Sequence, residues 1–379
     1  MIKDHPDADQ GIVKLTIPAL AYACERAART RDAIKWYEEA ASRWPQDDKA
    51  PDWLFNAAFH REELGDDSGA LADRQKYLER YGARPDAAKI AFSVGLILER
   101  QRDWRKAAEH WSSYQQRWSR AAPAGQLLLA RYKQALALRE LKEDESSALL
   151  ADVAHRFGRL AGSERQPALI DAAAHARFLG IEPAFNEFIA IHFNHTRQSE
   201  LVSALKTKNA RFMGVEQNFN DFLGIHFNYT RQADLVYVLK IKNVRLNKLL
   251  AQYGEVIAIG SPKWSEAAFT RIGEAYRNFN KGLLDAPVPR GLDPEQRELY
   301  RSTLESQALP LEDKATEAFN KAIDASLRSG AYSEWTLRAQ DYLREYQPDS
   351  YGDVHKAALA ESSLLREIAP ELPKRSGGN

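Results

Sequence analysis

The feature that most constrains the fold is a three-residue pattern that recurs at a nearly constant interval. Arginine, an aromatic residue and then a small residue or proline stand together four times in the N-terminal half. Successive aromatic residues are 37, 37 and 39 positions apart. A period of this length indicates repeated supersecondary units, because each unit can bury its apolar face only against its neighbours. The four aromatic residues are Trp44, Tyr81, Trp118 and Phe157.

Small and apolar residues recur inside each period with the spacing of an amphipathic helix. In the first period, Ile17, Ala21 and Cys24 predict one apolar helix face, and Ala33 and Tyr37 predict a second. Small residues fit where two helices approach closely, and large ones fill the space between units. Each period is therefore predicted to be a hairpin of two antiparallel helices, and the chain to be all-α. The matching residues of the next two periods are Leu54, Ala57, Ala58, Ala70, Tyr77, Ala91, Val94, Leu98, Ala107, Trp111 and Tyr114.

The same positions resemble the tetratricopeptide (TPR) repeat, whose second helix has the pattern A-x3-F followed by alanine and proline. The resemblance covers residues 12–180 as a degenerate array, in which Arg61 and Arg74 stand at positions that are usually apolar. It implies a TPR-like α-solenoid and, by family analogy, a non-enzymatic scaffold that binds a protein or peptide partner. The residues that match the pattern in the first period are Ala33, Tyr37, Ala40 and Pro45.

A longer segment occurs twice within residues 181–250. Residues 185–212 and 219–246 are identical at 17 of 28 positions and are 34 residues apart. Each copy has an apolar helical stripe followed by a second one, so each is predicted to be one further hairpin that superposes on the other. His192 and His195 of the first copy are interpreted as packing residues, because the second copy keeps His226 but has Tyr229 in place of His195.

Basic residues also recur in the duplicated segment. They are Lys206 and Lys208 in the first copy and Lys240 and Lys242 in the second. The favoured interpretation is a solvated helix face, and the alternative is a secondary basic strip that binds a partner. Each pair is followed by an arginine, Arg211 or Arg245.

The C-terminal block, residues 251–360, is predicted to be a further TPR-like pair of helices. Gly273 lies in the expected first helix, and Phe319 lies in the second. Residues 286–312 form a proline-containing insertion between them, which is apolar enough to pack back onto the hairpin. Asp293 followed by Pro294 predicts a helix start within it. Residues 361–379 are predicted to be a flexible tail.

Residues 220–350 resemble the C-terminal region of the TPR proteins of the myxobacterial adventurous gliding-motility machinery. The resemblance implies an assembly protein without enzymatic activity in the cell envelope or periplasm. The alternative is a cytoplasmic protein, because no export signal is recognised. The residues that carry the resemblance are Leu239, Lys240, Lys242, Trp264, Arg271, Ile272, Gly273, Tyr276, Ala286, Pro287, Val288, Pro289, Tyr300, Pro310, Leu311, Glu312, Lys314, Ala315, Trp335 and Thr336.

Composition argues against several functional classes. The chain has 53 basic and 53 acidic residues, whereas nucleic-acid-binding domains usually carry a basic excess. Cys24 is the only cysteine, which excludes an internal disulfide and a CxxC metal site. No apolar run approaches the roughly 18 residues of a membrane-spanning helix.

Motifs typical of enzymes are also missing from the sequence. GxSxG, GxGxxG, P-loop and HExxH patterns do not occur. We therefore predict that the chain is not an enzyme and uses no cofactor or metal. A helical enzyme or a nucleic-acid-binding protein without a recognisable motif is the alternative interpretation. The oligomeric state is left open.

The TPR resemblance places the first helix of each hairpin on the concave side of the array. This surface is predicted to combine an aromatic strip with an acidic ladder that suits an extended or helical peptide with basic groups. In the alternative interpretation, the aromatic residues are core and the glutamates are merely solvated. The predicted partner-binding residues are Tyr22, Phe55, Phe59, Phe92, Glu25, Glu62 and Glu99.

Overall fold

The computed structural model describes residues 10–191, 232–288, 291–330 and 332–348. These residues contain thirteen α-helices and no strand, which confirms the predicted all-α fold of antiparallel hairpins. The helices are α1 Gln10–Arg26, α2 Thr30–Arg43, α3 Ala50–Glu63, α4 Asp67–Tyr81, α5 Ala87–Arg100, α6 Trp104–Arg117, α7 Ala124–Glu140, α8 Glu145–Phe157, α9 Pro167–Ile189, α10 Gln232–Ile259, α11 Pro262–Leu284, α12 Pro294–Ser329 and α13 Glu334–Tyr346.

The chain divides into two compact units, the first ending at Gly180 and the second beginning at Ile181. In the first unit, every helix from α1 to α7 packs against the next one along the chain. Such nearest-neighbour packing is typical of a solenoid built from stacked repeats. The domain boundaries expected at 180/181 and 250/251 fall inside α9 and α10, respectively.

The core of the first unit consists largely of the residues that the repeat pattern selected. Ile17, Ala21 and Ala33 are fully buried, and Tyr37 and Cys24 are nearly so. The same frame positions in the next two hairpins are buried as well. The period therefore predicted both the pairing of the helices and the faces they bury.

The turn inside each hairpin uses a left-handed residue. Ala28, Gly65, Arg102 and Lys142 have φ between 55° and 74° and follow the first helices of successive hairpins. A residue in this conformation ends a helix tightly and lets the chain reverse. Only one of the four is glycine, so the packing of the two helices holds the others in a conformation that their side chains disfavour.

Two arginines occupy frame positions that are apolar in the repeat pattern. Arg61 reaches Glu38, Asp66 and Asp73 at 2.5–2.9 Å. Arg74 is 6% exposed and donates from Nε to Glu62 at 2.9 Å. Both charges are therefore paired, which is the condition under which a charge can be buried.

In the second unit, α10 packs against α11, and α11 packs against both α12 and α13. Asp293 caps α12 with a capping box, and Pro294 is its first residue, as predicted. Residues 286–312 were predicted to be an insertion between two helices. In the structure, residues 294–312 are the first part of α12 itself, which is one continuous helix. Leu292, Tyr300 and Leu304 are buried, which accounts for the apolar character of this segment.

Each unit contains a close contact between a glycine on one helix and an aromatic ring on the next. A Cβ atom on Gly95 would lie 2.3 Å from the Trp111 ring, and one on Gly273 would lie 2.4 Å from the Phe319 ring. The two residues of the first pair are 16 positions apart in the sequence, and those of the second pair are 46 positions apart. The insertion thus lengthens the hairpin by 30 residues without changing the close approach of its helices.

Several predictions from the sequence lie outside the described residues. They include the superposition of the two duplicated hairpins, the tail at 361–379 and the side chains of Lys206, Lys208 and His192.

We expect Gly273→Ala to lower the free energy of unfolding by about 1–3 kcal/mol, because the added methyl group overlaps the Phe319 ring. Urea unfolding followed by circular dichroism measures this change. Gly254→Ala in α10 is the matched control, since nothing lies within 4 Å of its added methyl group. The control should be neutral or stabilising by up to about 1 kcal/mol. Equal effects of the two substitutions would contradict the role assigned to the close approach.

Candidate functional site

Three of the predicted concave-face aromatics are exposed, and we call Tyr22, Phe55 and Phe59 the aromatic strip. They are 58%, 40% and 46% exposed, respectively. Phe55 and Phe59 are one helical turn apart on α3, and their rings stack with centroids 6.4 Å apart. The first two hairpins therefore present large apolar side chains to solvent.

Contacts between α1 and α3 bring the two parts of the aromatic strip to one side. Glu25 Oε2 lies 3.5 Å from His60 Nε2, and the His60 ring stacks on Tyr37 with centroids 6.2 Å apart. Tyr22 precedes Glu25 by three residues, so both lie on one helix face. Phe59 is next to His60 in sequence. Glu25 and His60 thus link the two helices that carry Tyr22 and Phe59.

Phe92 lies in a different environment. It is half-buried, and its ring centroid is 4.9 Å from that of Trp111 and 5.6 Å from that of Tyr114. These contacts tie α5 to α6 within the third hairpin. Phe92 contributes to the core there, as the alternative interpretation of the sequence has it.

Each of the three frame glutamates binds the side chain twelve residues later. Glu25 accepts a hydrogen bond of 2.5 Å from the Tyr37 hydroxyl. Glu62 pairs with Arg74, and Glu99 accepts a hydrogen bond of 2.8 Å from Trp111 Nε1. Each bond joins the first helix of a hairpin to its second helix. Burial, followed by the bond to Glu25, raises the pKa of Tyr37.

Two of these glutamates also bind cations from the next hairpin. Arg100 Nη2 lies 2.8 Å from Glu62, and Lys133 Nζ lies 2.7 Å from Glu99. The predicted acidic ladder is therefore largely neutralised by the protein itself. Glu62 and Arg74 are twelve residues apart in the sequence, but this spacing alone does not predict an ion pair. The pairing depends on how the two helices of the hairpin pack against each other.

The burial of Lys242 contradicts both interpretations of this residue, the solvated helix face and the basic strip that binds a partner. It is 1% exposed, whereas Lys240 is partly exposed. An α-helix turns by about 100° per residue, so residues two apart project in nearly opposite directions. Lys240 and Lys242 cannot lie on one helix face. Lys206 and Lys208 lie outside the described residues.

The buried ammonium of Lys242 binds at the end of α9. Its Nζ donates to the Ile191 carbonyl at 2.8 Å and to Asn278 Oδ1 at 2.7 Å. Aromatic rings of Phe188 and Phe279 lie 5.1 and 5.7 Å away. Donors of this kind stabilise the last carbonyl groups of a helix. Burial lowers the pKa of Lys242 to about 7.

Lys242 lines a pocket of about 710 Å³ in the second unit. Arg271 in this pocket bridges Glu182 at 2.5 Å and Glu274 at 2.7 Å, and Arg338 also pairs with Glu274 at 2.5 Å. The lining thus places cations and carboxylates side by side. These ion pairs join α9, α11 and α13, so the arrangement works as a clamp between helices.

Arg271 was missed as a structural residue by the sequence analysis. The position of Arg271 in the helix could have indicated this role. It lies three residues after Ala268 and four before Ala275, and both alanines are fully buried. A charged residue within such an apolar stripe is expected to have a partner. The partner Glu182 lies 89 positions earlier, so the pairing needed the fold.

Two kinds of feature are absent from the described residues, a metal-binding cluster and a membrane-spanning helix. Among these residues, no group of three or more histidine, cysteine or acidic side chains is placed to bind a metal ion. No helix in the same part of the chain has the length and apolar character needed to cross a membrane.

Comparisons with known proteins gave matches at the level of structure only. No protein-family model and no curated protein sequence matches the chain. A TPR repeats protein from Bacteroides fragilis is 13% identical, covering 77% of this chain and 96% of its own, with a TM-score of 0.36. A tetratricopeptide repeat protein from Parabacteroides merdae is 11% identical, covering 77% and 98%, with a TM-score of 0.31. Yeast Tom70 is 13% identical, covering 95% and 99%, with a TM-score of 0.23. All three scores are below 0.5, so these similarities carry no conclusion about function.

We expect Lys242 to make the stability of the protein rise with pH above neutrality. The pKa of Lys242 is about 7 in the folded protein, whereas the ordinary value of 10.5 applies to the unfolded chain. Between these two pH values, the unfolded chain therefore binds more protons than the folded protein. The free energy of unfolding should therefore rise by on the order of 3 kcal/mol from pH 7 to pH 9.5 through this group.

The measurement compares the native chain with Lys242→Met by urea unfolding across this pH range. The variant should lack the increment, and Lys240→Met, at a partly exposed neighbour, should keep it. An identical pH profile for the native chain and Lys242→Met would show that the lysine stays charged when buried.

Proposed function

We propose that this chain is a non-enzymatic scaffold whose first unit binds a protein or peptide partner through the aromatic strip. The observation that carries the proposal is the exposure of Tyr22, Phe55 and Phe59 on consecutive first helices. Leu15 on α1 is 76% exposed and adds to this apolar surface. Contiguous apolar side chains on a protein surface commonly mark a binding site for another protein.

The chemistry of the strip favours a partner with apolar anchors. Aromatic side chains bury a large area at a small entropic cost and are over-represented among the residues that dominate binding. The stacked pair Phe55 and Phe59 is already ordered, since the Arg74 guanidinium lies over Phe55 at 5.8 Å. A surface ordered before binding loses less side-chain entropy when a partner docks.

The charges beside the strip refine the expected partner. Glu25, Glu62 and Glu99 hold the hairpins together, and Arg100 and Lys133 neutralise two of them. We therefore expect an extended or helical peptide whose apolar residues bind the strip, with charged groups of both signs beside them. Such a peptide docks by placing alternate or i, i+3, i+4 side chains on the surface.

The test begins with capture of the partner from the native host and its identification by mass spectrometry. Phe55→Ala and Phe59→Ala should then each weaken binding of the purified partner by roughly 1–3 kcal/mol, measured by calorimetry. Leu327→Ala in α12 is the control, because Leu327 is also an exposed apolar residue, at 75%, but belongs to the second unit. Undiminished binding by a folded Tyr22, Phe55 and Phe59 triple alanine variant would refute the proposed site.

A finer proposal concerns where the scaffold acts. The resemblance of residues 220–350 to gliding-motility TPR proteins supports assembly in the cell envelope, with the second unit as the family-specific part. Fractionation of the native host checks this, and the protein should accompany envelope markers at native expression levels. Recovery with cytosolic markers alone would leave the scaffold proposal standing and remove the envelope assignment.

A further inference from the structure

The second unit contains a hairpin assembled from both copies of the duplicated segment. We call residues 185–212 copy 1 and residues 219–246 copy 2. The end of α9 belongs to copy 1, and the start of α10 belongs to copy 2. The two helices meet through Lys242 with the Ile191 carbonyl at 2.8 Å and through Arg245 with Glu187 at 3.1 Å. The paired helices therefore come from different copies.

The residues that make this pairing are encoded twice. On the α9 side, Phe188 and Ile191 of copy 1 recur as Phe222 and Ile225 of copy 2. On the α10 side the correspondence runs the other way. Leu239, Lys242 and Arg245 of copy 2 match Leu205, Lys208 and Arg211 of copy 1. Either copy of the second helix thus carries the lysine and the arginine that the end of α9 binds.

We propose that one 34-residue unit of this duplication is surplus to the fold. The described hairpin is what a chain with a single copy would form, and the duplication has added a second set of the residues that make its contacts. The contact residues that both copies share cannot distinguish the two registers, so other residues, beginning with those that flank the copies, must select the register.

The length of the connection supports this interpretation. Forty-two residues separate the end of α9 at Ile189 from the start of α10 at Gln232. Removal of one 34-residue period leaves eight, which is within the usual range of 2–8 for helix–helix connections.

The shortened connection can also span the required distance. Ile191 lies beside Lys242, ten residues into α10, so the start of α10 lies about 15 Å beyond this contact. Joining Ile191 to His226 leaves residues 226–231 between Ile191 and Gln232. Six residues reach about 20 Å when extended. The junction also restores the natural Ile-His-Phe-Asn sequence.

Residues beyond the copies favour the observed register. Beyond Leu246 the two sequences diverge, and α10 continues with Leu249 and Tyr253 buried against the second unit. The Tyr253 hydroxyl donates to Glu182 at 3.3 Å. Copy 1 is followed by Phe219 at the equivalent place, which has no hydroxyl group for this bond. The pairing across copies therefore gains a contact that pairing within copy 1 lacks.

Cross-linking distinguishes the two registers. In a Cys24→Ala background, Glu187→Cys with Arg245→Cys reports the pairing across copies, and Glu187→Cys with Arg211→Cys reports pairing within copy 1. A short-spacer bismaleimide should link the first pair efficiently and the second at least several-fold less. Preferential linking of the second pair would overturn the proposed register.

Deletion tests whether the unit is surplus. A chain without residues 192–225 should keep its helical content, a thermal midpoint no lower than that of the full chain, and the alkaline stabilisation that Lys242 supplies. A chain without residues 192–231 is the control. Ile191 is then joined directly to Gln232, and no residues remain to span the distance of about 15 Å between Ile191 and the start of α10. The control should melt at a lower temperature. A midpoint more than about 5 °C below that of the full chain for the 34-residue deletion would overturn the proposal.

Discussion

The close approach of two helices within each hairpin is the constraint on which the rest of the structure depends. Gly95 leaves room for the Trp111 ring, and Gly273 does the same for the Phe319 ring. A larger side chain at either position would separate the helices and detach the apolar faces on either side. Because this distance is fixed, α12 can begin many residues earlier than its counterpart α6 and still pack in the same way. Variation in length is accommodated along the helix axis and leaves the contact unchanged.

Charged residues are used in two different ways in the two units. In the first unit, each frame glutamate joins the helices of its own hairpin, as Glu99 does through Trp111. In the second unit, Arg271 gathers Glu182 and Glu274 from separate helices. Both arrangements give the charged side chains hydrogen-bonding partners where an unpaired charge would be costly. The aromatic strip, by contrast, has apolar side chains for which the first unit supplies no cover.

The sequence predicted the features that depend on period and local pattern. The all-α fold, the buried faces of the first three hairpins and the helix start at Asp293 follow from small residues, spacing and proline placement. It did not predict that Lys242 would be buried, because the lysine needs the Ile191 carbonyl and Asn278 from other elements. The paired state of Glu62 was missed for the same reason, since Arg100 reaches it from the following hairpin. Local pattern fixes what a helix buries, while the partner of a particular charge depends on contacts distant in sequence.

The side-chain contacts between successive hairpins restrict the order in which the hairpins can follow one another in the array. The acceptor is always the frame glutamate, but the group that approaches it changes from His60 to Arg100 to Lys133. These residues lie ten, thirteen and nine positions after the first residues of their helices. Each junction therefore uses a different side chain, and a hairpin moved to another place in the array would present that side chain at a different position along its helix. Although the hairpins share one backbone arrangement, they are not interchangeable. Their side-chain contacts are compatible with only one order of hairpins along the array.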